Sequence, residues 1–157
     1  MRKTVFALSC AALALAGTAQ AQVTRTGAPT ATISSLVTVP AGYASVYVAG
    51  TTASTPGQAI PETMDSKAQT TVILEKIKAL LAAEGLGLGD IVKMNVYLVG
   101  VPSKGGAMDS AGMNESYRTF FGTADQPNKP VRATVQVAAL GSPTTLVEIE
   151  ATAAKKP

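Results

Sequence analysis

"SKAQTTVILEKIKALLAAEGLGLGDIVKMNVYLVG", residues 66–100, sets one clear helix immediately before one clear strand. In its first half Ile73, Ile77, Leu80 and Leu81 recur at helical period, while Glu75, Lys76 and Lys78 fall largely off that stripe. Ser66 and Gln69 have the spacing of a capping box, and Gly85 is placed to cap the C-terminus. In the second half the period changes to two: Val92, Met94, Val96 and Leu98 alternate with Lys93, Asn95 and Tyr97. A helix with one apolar face and a half-buried strand must cover each other, which is the elementary unit of an α+β domain.

Working outward, "SLVTVPAGYASVYVAG" (35–50) holds two β-branched runs around Pro40-Ala41-Gly42 and reads as a hairpin. A loop rich in Gly, Pro, Thr and Ser follows through Glu62. Ahead of the hairpin, the polar, Pro- and Gly-bearing "QVTRTGAPTAT" (22–32) reads as a flexible leader. On the other side, "GVPSKGGAMDSAG" is a loop leading to "MNESYRTFF" (113–121), where Met113, Tyr117, Phe120 and Phe121 repeat at helical spacing. The last two strands, "VRATVQVAAL" and "LVEIEATAA", are separated by Gly141-Ser142-Pro143 and are expected to pair as a hairpin. The order strand, strand, helix, strand, helix, strand, strand predicts two helices on one face of a mostly antiparallel or mixed sheet.

The N-terminus has a different character. Arg2 and Lys3, an apolar run from Val5 to Ala16 and the small-residue end Ala19-Gln20-Ala21 read as a secretory signal peptide over 1–21 with an A-x-A cleavage site. It is short for a membrane span, and Cys10 lacks the small-residue context of a lipid-modified cysteine. Its removal from 157 residues leaves 136, enough for one domain, over 33–157 after the leader. The processed chain is expected to be exported, to a periplasm in a bacterium, and to hold no membrane segment.

Cleavage also leaves 11 basic against 10 acidic side chains, so the whole-chain charge of +3 is no argument for nucleic acid. The chain has no histidine, and its one cysteine, Cys10, lies in the signal-peptide segment. A Cys/His zinc site, a Ser-His-Asp triad, a thiol nucleophile and a disulfide are therefore excluded from the processed chain. A carboxylate-only metal site is left open by composition, but the acids show no EF-hand-like spacing and no metal is expected. Chemistry is left to carboxylates, Arg, Lys, hydroxyls, backbone groups and water.

Within 128–137, "NKPVRATVQV", alternation puts Ala133, Val135 and Val137 on one face, taken as the inward one, and Arg132, Thr134 and Gln136 on the other. That second surface is open water or a pocket. The guanidinium follows Pro130-Val131 at a strand start, and arginine is the side chain best shaped to grip a carboxylate through two parallel bonds. Glu148 and Glu150 lie opposite Val147 and Ile149, as a charged outer face or a functional one. Asn114 is a helix-start residue or a functional one, Tyr117 reads as core, and Gly50 either ends its strand or permits a close backbone approach.

Taken together, "VYVAG", "GLGLGDIVKMNVYLVG", "MNESYRTFF", "KPVRATVQVAAL" and "VEIEATA" resemble, in order, signature segments of the Rid family, the reactive-intermediate deaminases also called YjgF-like proteins. The resemblance runs from about Ile33 to Ala153. It implies a chorismate-mutase-like α+β domain, a homotrimer with ligand pockets between neighbouring subunits, and hydrolysis of enamines or imines such as 2-aminoacrylate to a 2-keto acid and ammonia. It implies no metal or organic cofactor. The family's carboxylate-binding arginine falls on Arg132, its water-positioning glutamate on Glu148, its pocket asparagine on Asn114 and its wall glycine on Gly50. Thr134, two places after the arginine, stands where the family has a cysteine and is included among the substrate-binding positions. Other departures are Leu36 for a tyrosine, Ala49 for a serine and Thr51 for a glutamine.

Two functions follow from different classes: an exported 2-iminobutanoate/2-iminopropanoate deaminase-like hydrolase of small 2-imino acids, or a non-catalytic trimer that binds small carboxylates or shields other proteins. A ribonuclease, an older reading of this family, is disfavoured by the near-neutral processed charge, the low aromatic content and the missing histidine.

Overall fold

The computed structural model describes residues 21–157; the signal-peptide reading of 1–21 lies, but for Ala21, outside the described residues. The strands are β1 (Thr24–Thr26), β2 (Leu36–Thr38), β3 (Ala44–Thr52), β4 (Ile91–Val99), β5 (Val131–Val137) and β6 (Val147–Lys155). The helices are α1 (Ser66–Ala83) and α2 (Ser110–Phe120), with short 3₁₀ turns at Leu88–Asp90 and Pro102–Lys104. β1 and β2 form a two-stranded ribbon, and the main sheet runs β3-β6-β4-β5. β4 and β5 are parallel and the other two pairings of the main sheet antiparallel, so this sheet is mixed, as expected for an α+β domain.

α1 forms where the apolar stripe predicts it and buries Ile73, Leu74, Ile77 and Leu81 completely or nearly so. At about 1.5–3 kcal/mol per fully buried aliphatic side chain, this face, not intrinsic propensity, holds the helix. Leu80, expected in the stripe, is exposed at its edge and Leu74 takes the inward place. The capping box also differs: Asp65 is the N-cap, its carboxylate accepting from the Ala68 amide at 2.8 Å. Gln69 is diverted into the core, donating to the carbonyls of Met64 and Thr144 and accepting from the Leu146 amide, each at 2.9 Å. Gly85 does cap the helix. Its φ is +71°, and the bonds from Gly85 N to Ala82 O and from Leu86 N to Leu81 O form a Schellman motif.

Both helices cover one face of the sheet, packed on each other and bridged by a 2.8 Å hydrogen bond between the Thr71 and Ser116 hydroxyls. Met94, Val96 and Leu98 of β4 and Val147, Ile149, Ala151 and Ala153 of β6 meet Met113, Tyr117 and Phe121 in the core. The opposite face carries Tyr47, Asn95, Tyr97, Val135, Glu148 and Glu150 and has no layer over it among the described residues. None of the described helices is long and apolar enough to cross a membrane.

Both expected hairpins are replaced by longer-range pairings. β2 pairs with β1, Thr24 opposite Thr38, instead of with β3 across Pro40-Gly42. The leader expected to be loose therefore supplies a strand, anchored by Arg25, which donates to Gly89 O at 2.8 Å and Ile91 O at 3.3 Å. β5 and β6 do not pair across Gly141-Pro143: β6 lies between β3 and β4, and β5 stands outside β4 at the sheet edge. A short Gly-Pro link permits a hairpin without requiring one, and a strand as apolar as β6 gains more as a doubly paired inner strand.

Candidate functional site

The parity read for β5 holds but its orientation is reversed. Arg132 lies opposite Met94, Thr134 opposite Val96 and Gln136 opposite Leu98, so these three side chains share the helix-covered face. Ala133 and Val135, taken as inward, are exposed on the open face, Val135 at 46%. Arg132 therefore projects from an edge strand under α2.

There it meets three groups of one helix. Nη2 donates to Asn114 Oδ1 at 2.7 Å, Nη1 lies 3.7 Å from Met113 Sδ, and the guanidinium carbon sits 4.4 Å from the Tyr117 ring centroid. Asn114 is thus inside α2 and not at its start, because Asp109 is the N-cap and accepts from the Gly112 amide at 3.1 Å. Burial pulls the guanidinium pKa below its ordinary value; the electrostatic influence of the Tyr117 phenol group opposes this shift and the charge of Arg118 adds to it. No carboxylate pairs with Arg132 among the described residues. Its Nε and the Thr134 hydroxyl are buried without a hydrogen-bond partner there, which leaves donor capacity unspent beside a fixed cation. Such an arrangement can hold an anion.

Glu148 and Gly50 meet on the other side of the sheet. Gly50 sits where the β3–β6 register shifts between Val48 and Thr51, and a Cβ there would overlap Glu148 Oε1 and lie 3.0 Å from its Cδ. Of the two readings of Gly50, the close approach is therefore the one observed. Thr51 steadies the irregularity by donating its hydroxyl to Ala49 O at 2.9 Å. The predicted residues thus form two groups: Arg132, Asn114 and Thr134 on the helix-covered face, Glu148 and Gly50 on the open face. One chain does not bring the two groups together.

The open face also holds a cluster around Glu150, a residue that alternation left as part of a charged outer face or of a functional one. Glu150 accepts from Tyr97 Oη at 3.1 Å and from Asn95 Nδ2 at 3.3 Å, and this bond to Glu150 raises the Tyr97 pKa. A cleft of ≈ 380 Å³ beside it is lined by Tyr47, Ala49, Lys93, Asn95, Glu150 and Thr152, among others, but by neither Arg132 nor Glu148. Its position makes it a feature of the uncovered sheet and not the anion site. No group of three or more His, Cys, Asp or Glu among the described residues is placed to hold a metal. Tyr117 is the participant missed from sequence; its spacing three residues after Asn114 was the available signal, since i and i+3 share a helix side.

These features define a small α+β protein with a clamped, unpaired arginine at a sheet edge and a glycine-seated glutamate across the sheet. A family model described as Endoribonuclease L-PSP matches residues 27–155, and the chain belongs to this family, that of the YjgF and Rid proteins. The RutC family protein PH0854 of Pyrococcus horikoshii is 42% identical over 92 residues, 59% of this chain and 64% of that protein. The 2-iminobutanoate/2-iminopropanoate deaminase of Salmonella typhimurium is 37% identical over 92 residues, covering 59% and 66% respectively. The matched stretch therefore spans just under two thirds of these curated relatives. Among solved structures, Escherichia coli TdcF with bound serine superposes with a TM-score of 0.58 at 33% identity, over 75% of this chain and 85% of that one. The E. coli YjgF gene product gives 0.59 at 30% identity over the same shares.

Proposed function

We propose that the protein is an exported homotrimeric hydrolase converting small 2-imino acids, and the 2-aminoacrylate-type enamines that tautomerise to them, into 2-keto acids and ammonia. One observation carries the reading: Arg132 is half-buried and held by an amide, a thioether and an aromatic ring, with no carboxylate among the described residues to neutralise it. A cation desolvated in that way is suited to an anionic ligand. The names of relatives support the class, since one is a 2-iminobutanoate/2-iminopropanoate deaminase and TdcF was crystallised with serine, itself a carboxylate. The separation of Arg132 and Glu148 on opposite faces supports a site completed between copies, Arg132 and Asn114 from one subunit and Glu148 and Gly50 from its neighbour.

The chemistry then needs little machinery. Arg132 takes the substrate carboxylate, which fixes the imine carbon relative to a water held by Glu148. Water adds to the C=N carbon while Glu148 accepts one of its protons and returns it to nitrogen, giving the carbinolamine; the hydroxyl proton of that adduct then passes through Glu148 to nitrogen, and the C–N bond breaks as the C=O bond forms and ammonia leaves. The gain comes from proximity and from charge placed in advance. Generating imines with an amino-acid oxidase and timing their loss tests this. Acceleration over buffer that is abolished in Arg132→Ala supports it, and equal rates for buffer, wild type and variant reject it. Cell fractionation tests export, with the processed protein expected outside the cytoplasm.

A second reading is favoured by Leu36 and Ala49, where a phenol and a hydroxyl of the family pattern are missing: a trimer that binds carboxylates or shields other proteins without turnover. Calorimetry with 2-keto acids separates the two, because Arg132-dependent binding without imine loss selects the second.

A further inference from the structure

We infer that Tyr117 is a positioning residue for Arg132: the face of its ring, not its hydroxyl, holds the guanidinium in place while leaving the positive charge available. The inference rests on the reading of Arg132 as a carboxylate anchor.

Arg132 is held by groups of a single kind. The Tyr117 ring lies under the guanidinium at 4.4 Å, Asn114 Oδ1 takes one N–H, and Met113 Sδ lies beside another nitrogen. All three are neutral. A carboxylate in any of these places would fix the arginine equally well and would also satisfy its charge, which a ligand would then have to displace. An aromatic face attracts a cation through its quadrupole without forming an ion pair, so position is fixed and charge is kept. The ring itself cannot turn freely. Tyr117 is 1% exposed and stacks on Phe121 with centroids 4.6 Å apart and planes 18° from parallel. Without the ring, a long flexible side chain at a sheet edge would lose rotamer freedom at each binding event, at the expense of affinity.

The hydroxyl has no comparable role. Tyr117 Oη is buried and unpartnered among the described residues, and burial pushes its pKa well above the usual tyrosine range despite the nearby cation. The aromatic face, which phenylalanine shares, is therefore the functional part.

The test combines Arg side-chain NMR on the folded protein with kinetics of Tyr117→Phe and Tyr117→Leu. In the wild type, the Arg132 Nε–H, assigned by its absence in Arg132→Lys, is expected upfield of those of Arg25 and Arg118 through the ring current. Tyr117→Leu should lose that shift and raise KM for the imino acid roughly tenfold with kcat within about twofold. Tyr117→Phe should restore both. An unshifted Arg132 in the wild type, a folded Tyr117→Leu with unchanged KM, or a Tyr117→Phe as defective as Tyr117→Leu each overturns the inference. Should Tyr117→Leu fail to fold, the wild-type shift and Tyr117→Phe decide. A wild type without turnover or pyruvate binding removes the deaminase reading, whereas the chemical shift still reports whether Tyr117 holds Arg132.

Discussion

Replacing Gly50 by alanine separates space from conformation as the reason for a glycine. Gly50 is not among the glycines with positive φ, so its backbone is open to alanine and no strain follows from φ itself. The obstacle is Glu148, whose Oε1 would be overlapped by the new Cβ and whose Cδ and Cγ would lie 3.0 and 3.4 Å away. Because the overlapped atom ends a flexible side chain, the carboxylate swings aside at about 0.5–1.5 kcal/mol if forced off its rotamer, a loss of roughly 2–6 °C in Tm. Catalysis should respond far more, since moving a water-positioning oxygen by about 1 Å costs on the order of 10²-fold in rate. The oxidase-coupled assay and a thermal melt on the same preparation should therefore show a large kcat loss in a stable protein. Gly50→Ala combined with Glu148→Gln should be no slower than Glu148→Gln alone, because both changes remove the same function. A folded Gly50→Ala with kcat within about twofold of wild type would refute the assignment of Glu148, and a Tm loss well beyond that range would show that the glycine serves the backbone.

Arg132→Ala should weaken 2-keto acid binding by roughly 30-fold or more in calorimetry, the loss of about 2 kcal/mol or more for a buried charge contact, with little change in Tm. Gln69→Ala orphans two carbonyls and one amide that tie α1 to the segment before β6, and urea unfolding should show a loss of about 3 kcal/mol or more. At alkaline pH, the raised pKa of Tyr117 makes the neutral phenol the folded form. Its contribution is complete below the ordinary value of 10.0 and falls as pH rises from there, while the unfolded chain ionises first. Tyr117→Phe should accordingly flatten the alkaline limb of a stability-against-pH curve. Tyr97 should ionise above the usual tyrosine range in an ultraviolet titration, and Glu150→Gln should bring it down by replacing the carboxylate that accepts its hydrogen bond with a weaker, neutral acceptor.

The elements that could be read from sequence are those whose burial is decided locally. α1 and β4 each carry a long stripe of one period, and both formed where that stripe placed them. Strand partners are decided elsewhere: the short links at Pro40-Gly42 and Gly141-Pro143 suggested hairpins, but pairing went to β1 with β2 and to β6 inside the sheet. The site shows the same division. Alternation correctly grouped Arg132 with Thr134, yet a period of two does not say which group faces inward, and the rule that apolar means buried chose the wrong side. It failed because α2 brings an amide, a sulfur and a ring to receive the polar side of β5, whereas Ala133 and Val135 are left on an uncovered sheet beside exposed Tyr47. A strand that turns its apolar residues away from its own core leaves them on a face that another surface can cover. Together with the division of Arg132 and Glu148 between the two faces, this inversion supports the proposed assembly, in which the open face of β5 and β6 packs against a neighbouring subunit. A second copy of the same chain would satisfy it and complete the site in one step.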